Sequence, residues 1–238
     1  MTAENSPQAT RALVIQHEQP TPGGYVHRWL EERGADQDTY RIDVEDRTVD
    51  PREYQMIFSL GSEFAAFDDS VPWLAKEKQL LVDAAQNDVP VLGICFGGQL
   101  LARVLGGKSY RSEIAEIGWL PVRSKDRFML SNGPWFQWHF DTFTAPPGAE
   151  LIADSPVGPQ AFTIGRSLGV QFHPEVTPEI MASWVAAYRH ELDREGVDPD
   201  LLLIETQRRA DETRAAAWRL FDGFAARARR LKEAVGGG

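Results

Sequence analysis

The chain predicts an α/β fold: a mainly parallel sheet with helices on both faces, a small antiparallel extension and a helical C-terminal tail. Three features carry this. Short uninterrupted apolar runs recur at residues 12–15, 56–60 and 89–94, the pattern of strands buried on both faces rather than one. Segments of helical periodicity separate them. Glycines at 34, 61 and 106–107 punctuate the changes, as expected where strands and helices alternate in a doubly covered sheet.

Taken in order, Ala12-Leu13-Val14-Ile15 opens the sheet, and Gly23-Gly24 leads into a helical stretch around residues 25–32 that Gly34 ends. Residues 40–44 alternate like a strand. Met56-Ile57-Phe58-Ser59-Leu60 is a second buried strand closed by Gly61. Residues 72–87 read as a helix, with Pro72 near the first turn and Trp73, Leu80, Leu81, Ala84 and Ala85 on one broad face. Residues 89–94 return to strand, and 97–105 form a helix that Gly106-Gly107 stops. Residues 116–123, 149–153, 160–164 and 169–172 are short strand-like pieces, suited to an antiparallel extension or a second small sheet. After Pro174 the chain turns helical, with Trp218, Phe221 and Ala225 as a core-facing stripe and Arg227, Arg229, Arg230 and Lys232 as a solvated face. Residues 1–238 are expected to form one domain, with a core of about 12–195 and a helical tail of 196–235. The first ten or so residues and Gly236-Gly237-Gly238 are expected to be disordered ends.

Composition narrows the function classes. A chain of 238 residues buries roughly 70% of its unfolded surface and needs no staple. Its one cysteine permits no intrachain disulfide and no zinc ribbon. A net charge of −10 is the opposite of a nucleic-acid footprint. No apolar run approaches the ~20 residues of a membrane span, and no apolar leader opens the chain. A cytoplasmic protein binding neither nucleic acid nor membrane is the expectation. No paired cysteines or His-Glu-x-x-His segment offers a catalytic metal site.

The single cysteine stands in Gly93-Ile94-Cys95-Phe96-Gly97-Gly98-Gln99, where an apolar strand runs in and a helix runs out. That context is a nucleophile elbow. Gly97 and Gly98 keep side chains away from the reacting centre, and the helix N-terminus offers N–H groups and partial positive charge to the sulfur. Alone, Cys95 would also fit an inert cysteine at a sheet edge. Downstream, however, Val170-Gln171-Phe172 runs into His173-Pro174-Glu175. A cysteine nucleophile needs a base, and the base needs an orienting group on its other ring nitrogen. His173 supplies the imidazole, and Glu175, beyond a proline that fixes φ, can turn its carboxylate back to the ring. Both motifs sit at strand carboxyl ends, where open α/β sheets bind ligands.

Gly93-Ile94-Cys95-Phe96-Gly97-Gly98-Gln99 followed by His173-Pro174-Glu175 resembles the class I, triad-type glutamine amidotransferases, and among them the stand-alone members similar to the glutaminase domain of GMP synthase. The resemblance covers roughly residues 12–180. It implies a flavodoxin-like sheet, a catalytic triad of Cys95, His173 and Glu175, and an oxyanion hole from the amides of Gly61 and Phe96. It further implies substrate contacts from Gln99 and from the Trp138-His139-Phe140-Asp141 segment, that is, Phe140 and Asp141. Two departures stand out: Leu60-Gly61-Ser62 lacks the family's second glycine, and Trp138 replaces a small residue. The implied reaction is hydrolysis of the glutamine side-chain amide through a γ-glutamyl thioester on Cys95, without a cofactor, with ammonia passed to a separate synthetase or acceptor subunit. The alternatives are a hydrolase of some γ-glutamyl conjugate and, from another class, a non-catalytic binding protein on the same fold.

Two motif matches are rejected. Gly165-Arg166-Ser167-Leu168-Gly169 has the letters of a serine-hydrolase elbow but lies between two strands, so it reads as a hairpin turn. Gly106-Gly107-Lys108-Ser109 follows a helix instead of opening one, so it is no phosphate loop. His17 ends the first strand close to where a ligand could sit; His27 and His190 read as surface residues, and Asp68-Asp69 as an exposed loop pair.

Overall fold

A computed structural model describes residues 10–126 and 128–236. The expected disorder of the chain ends falls outside the described residues, except at Gly236, which closes the last helix. The strands are β1 (Arg11–Gln16), β2 (Asp36–Arg41), β3 (Met56–Ser59), β4 (Val91–Ile94), β5 (Lys108–Leu120), β6 (Arg123–Ser124), β7 (Trp135–Thr144), β8 (Glu150–Asp154), β9 (Pro159–Ile164) and β10 (Ser167–Val170). The helices are α1 (Tyr25–Glu32), α2 (Leu74–Gln86), α3 (Phe96–Val104), α4 (Pro178–Ala187), α5 (Arg189–Glu195) and α6 (Pro199–Gly236).

Eight strands form one sheet in the order β2-β1-β3-β4-β10-β9-β8-β6. The half from β2 to β10 is parallel; β9, β8 and β6 extend it antiparallel. The uninterrupted apolar runs are explained by burial on both faces. In β1, Ala12 and Val14 face a core shared with Trp29 of α1 and Phe221 and Phe224 of α6. Leu13 and Ile15 face the other core, with Leu74, Leu80, Leu81 and Ala84 of α2 and Leu100 and Leu101 of α3. Each face thus sequesters its own apolar layer, the main favourable contribution to this architecture.

Both expected roles for the middle of the chain occur, the antiparallel extension in β9-β8-β6 and a separate small sheet formed by β5 and β7. The structure corrects several boundaries. The strand expected at 40–44 is β2, Asp36–Arg41: the chain turns out of α1 at Gly34 (φ +61°), enters the sheet with Asp36 opposite Arg11, and folds back after Arg41, leaving Val44 71% exposed. Helix α2 begins at Leu74, with Pro72 and Trp73 in the entry to it. Strand β5 starts at Lys108, eight residues before the expected 116, because a bulge between Arg111 and Glu116 interrupts its alternation. Strand β7 is new: its burial on nearly every position hides the period of two. The serine-hydrolase look-alike is a hairpin, with Gly165 at φ +51° between β9 and β10 and the Ser167 hydroxyl accepting from the Val91 N–H at 3.1 Å.

The C-terminal helix α6 lies across one sheet face, where Ala217, Leu220, Phe221 and Phe224 are fully buried. Trp218 is half-buried, its indole N–H donating to Glu32 at 2.8 Å. A third core joins Phe136 and Trp138 of β7 to Ile180, Met181 and Trp184 of α4 and Leu192 of α5, and it backs the region beyond the ends of β4 and β10.

Candidate active site

The carboxyl ends of β3, β4 and β10 converge, and the segments leaving them build a cleft. Cys95 follows β4 directly and caps α3 with φ +51° and ψ −108°. A non-glycine residue there is strained by roughly 1–3 kcal/mol, a feature that persists when surrounding contacts over-determine it. Here the Cys95 N–H donates to the Val170 carbonyl at 2.8 Å, and its carbonyl accepts from the Gln99 N–H at 2.9 Å. Gly97 touches the end of β3 so closely that a Cβ would overlap the Ser59 carbonyl, while its N–H donates to the Leu60 carbonyl at 3.0 Å. The second glycine of the elbow motif is thus required by packing of α3 against β3.

His173 is 3% exposed. Its N–H donates to the Phe136 carbonyl at 2.8 Å, and Trp184 meets its ring edge-on at 4.8 Å. Nδ1 lies 2.7 Å from Glu175 Oε1, an orientation available because the Glu175 carbonyl is itself anchored on the Tyr25 N–H at 2.9 Å. Nε2 is buried without a conventional hydrogen-bond partner. Burial works against a proton on this ring, yet Glu175 and the neighbouring Cys95 outweigh it and push His173 up to about 10.

Gly61 lies against the same ring: a Cβ there would stand 2.9 Å from His173 Cε1 and 3.8 Å from Cys95 Cβ. Its N–H donates to no acceptor among the described residues. Phe96, the first residue of α3, likewise has no intrahelical acceptor for its N–H. Two N–H groups are therefore available beside the sulfur.

Of the remaining expected residues, Gln99, Phe140 and Asp141 line the cleft together with Gly61, Cys95, Phe96 and His173, while Glu175 stands behind His173. Gln99 is buried and its amide donates to the Asp141 carbonyl at 3.0 Å and to Gln171 Oε1 at 3.2 Å. Asp141 faces Arg111 at 3.4 Å; burial raises its carboxyl above the usual range even with that cation near. Arg111 also covers the Phe140 ring at 4.8 Å. His17 is fully buried and does not line the cleft. His27 is half-buried against Gln37, and His190, Asp68 and Asp69 are exposed.

A polar network that no sequence motif marks lies beneath the cleft. Gln171 donates to the Cys95 sulfur at 3.7 Å. Gln137 donates to Gln160 at 2.8 Å, and Gln160 to Glu116, which meets His139 Nε2 at 3.1 Å. The available signal was three glutamines flanked by apolar residues, Gln137 in β7, Gln160 in β9 and Gln171 just past β10, all of them buried. Trp138, the departure noted from the family pattern, is also in the cleft wall, its indole donating to Glu191 at 2.8 Å. Among the described residues no group of three or more His, Cys, Asp or Glu could hold a metal ion, and no helix is long and apolar enough to cross a membrane.

With that geometry in view, the model of the glutamine amidotransferase class-I family matches residues 25–186, more than half of the chain. The chain belongs to the class I glutamine amidotransferases. A crystal structure of a glutamine amidotransferase from Thermotoga maritima superimposes with a TM-score of 0.85 at 31% identity, covering 92% of this chain and 99% of that one. Another, from Methylobacillus flagellatus, gives 0.83 at 25% identity over 94% of this chain and 96% of its own. The glutamine-hydrolysing GMP synthase of Aeropyrum pernix is 38% identical over 128 residues, 48% of this chain and 25% of that protein. This amidotransferase chain spans about a quarter of the length of the GMP synthases it matches. The mainly parallel sheet with helices on both faces is the fold of this family.

Proposed function

We propose that this class I amidotransferase hydrolyses the side-chain amide of glutamine with Cys95 as nucleophile, His173 as acid and base, and Glu175 as its orienting carboxylate. The observation that carries the reading is the buried His173–Glu175 pair beside a cysteine held at positive φ at the head of α3. A proton on His173 and negative charge on sulfur make an ion pair poised for attack. The sulfur adds to the carboxamide carbon, and the Gly61 and Phe96 amides receive the oxyanion. His173 gives its proton to the departing ammonia, leaving a γ-glutamyl thioester. The neutral ring then takes a proton from water, which attacks the thioester and releases glutamate. Gln99, Phe140 and Asp141 are the substrate contacts in this reading. Every group the cycle needs belongs to the chain, so it runs without a cofactor.

The ammonia passes to a separate acceptor enzyme docked over the cleft, and the single domain, residues 1–238, acts as the glutaminase subunit. Similarity to glutamine-hydrolysing GMP synthases supports a nucleotide-forming acceptor. A second reading, hydrolysis of a larger γ-glutamyl conjugate, is favoured by one feature: Trp138, Trp184, Tyr188 and Glu191 also line the cleft, and the glutamine reading gives none of them a role. Ammonia release from glutamine, compared with hydrolysis of a panel of γ-glutamyl amides, tests both. Faster turnover of glutamine supports the first, and a strong preference for one substituted amide supports the second. Turnover of neither overturns both.

A further inference from the structure

Besides His173–Glu175 and His139–Glu116, a further histidine–carboxylate pair that this reaction does not use lies below the cleft. His17, Glu77 and Ser59 are all completely buried, and none of them lines the cleft. His17 Nδ1 stands 3.0 Å from the Gly61 carbonyl oxygen and Nε2 stands 2.8 Å from Glu77 Oε2. The other carboxylate oxygen accepts from the Ser59 hydroxyl at 2.7 Å. Trp73 stacks on the imidazole at 4.9 Å, and Phe96 meets it edge-on at 4.7 Å. A carbonyl only accepts, so Nδ1 carries a proton and donates to Gly61, while Nε2 faces Glu77. Burial opposes a charge on the ring, but Glu77 outweighs it and raises His17 above its ordinary value.

What this pair holds is a glycine. The two peptide groups flanking the Gly61 Cα are pinned from different elements: the Leu60 carbonyl by the Gly97 N–H of α3 at 3.0 Å, and the Gly61 carbonyl by His17 at the end of β1. Glycine by itself has the widest backbone freedom of any residue. In a trans peptide the N–H points opposite the preceding carbonyl, so the Gly97 contact sets the line of the Gly61 N–H, and the His17 contact on the other side of the Gly61 Cα keeps that plane from swinging about it.

We propose that His17, backed by Glu77, is a positioning residue that aims the Gly61 amide at the oxyanion. This rests on the reading of Gly61 as an oxyanion donor given above. A purely structural role for the pair makes a different prediction, because it would support the elbow and the oxyanion donor together. Full-length His17→Gln, whose amide nitrogen can take the place of Nε2 toward Glu77 but leaves no donor at Nδ1 for the Gly61 carbonyl, separates the two. Two rates are read on each protein: steady-state hydrolysis of glutamine or a γ-glutamyl anilide, and alkylation of Cys95 by iodoacetamide, which displaces iodide and forms no oxyanion. For His17→Gln, kcat should fall by roughly ten- to a hundredfold. KM and the alkylation rate should stay within about twofold. Glu77→Gln, which leaves an amide partner for the ring, should lose less. Should His17→Gln fail to fold, His17→Phe/Glu77→Met removes the pair without leaving a lone buried charge, and the same selective loss of kcat is expected. Unchanged kcat, or kcat and alkylation falling together, overturns the proposal. Full hydrolysis by Cys95→Ala would overturn the underlying reading instead.

Discussion

Cys95 holds a backbone conformation that costs any side chain energy, φ +51° with ψ −108°, and that strain is measurable without catalysis. Cys95→Ala keeps a Cβ in the strained position, whereas Cys95→Gly removes it. Urea unfolding should show Cys95→Gly more stable than Cys95→Ala by about 1 kcal/mol, the strain relief less the unfolded-state entropy of glycine. Equal midpoints would count against a strained elbow. The histidine and its carboxylate separate by activity: His173→Ala should remove nearly all turnover, while Glu175→Gln leaves a measurable residue because the imidazole remains. His173 also ties stability to pH. Its pKa is raised in the folded chain from 6.5 to about 10, so its ion pair contributes fully below pH 6.5, and the contribution fades as pH climbs through 10. The difference in unfolding free energy between the unsubstituted chain and His173→Gln should therefore be largest below pH 6.5 and shrink toward pH 10. A gap that does not change with pH would contradict the raised value.

Elements fix these residues by close approach. Helix α3 meets β3 through Gly97, and β3 continues into Gly61, which lies against His173. Gly97→Ala must push α3 away from the Ser59 carbonyl, so it should lower both stability and turnover. Gly61→Ala presses on the His173 ring at 2.9 Å. It should spare the fold and cost roughly ten- to a hundredfold in kcat, the scale of a displaced catalytic group; circular dichroism and steady-state kinetics on both variants check the contrast. The elbow and the His-Pro-Glu turn were legible in the sequence because each is a local pattern: a strand, a turn and a helix or carboxylate within a few residues. Strand β7 was not, because Trp135–Thr144 is buried on both sides at most positions and shows no alternation. The start of β5 was hidden by its bulge. The His17–Glu77 contact and the Gln171–Cys95 contact join residues 60 and 76 apart in the chain, and no periodicity encodes such a meeting.

The whole molecule is a sheet whose strand ends carry the chemistry on one edge while two apolar layers hold it rigid. Alternation of strand and helix made that architecture readable early. The way α6 covers a sheet face was readable only as a stripe, since which helix lies on which face depends on distant pairings. Phe221 is the clearest probe of that packing, fully buried with Trp29 at 5.7 Å and Phe58 at 6.2 Å. Phe221→Ala should cost about 3–5 kcal/mol in urea unfolding and leave kcat nearly unchanged where the protein remains folded, because neither Phe221 nor its aromatic partners Trp29 and Phe58 line the cleft. Coupling to an acceptor belongs to this scale as well: a glutaminase subunit should turn over glutamine faster when its partner is present, whereas a free-standing hydrolase should not respond. Hydrolysis through Cys95 is covalent, and rapid-quench mass spectrometry of the protein mixed with glutamine reads that bond directly. A transient γ-glutamyl adduct on Cys95 should form and decay at the rate of ammonia release and be absent from Cys95→Ala; ammonia release by Cys95→Ala at the unsubstituted rate would rule the adduct out as an intermediate.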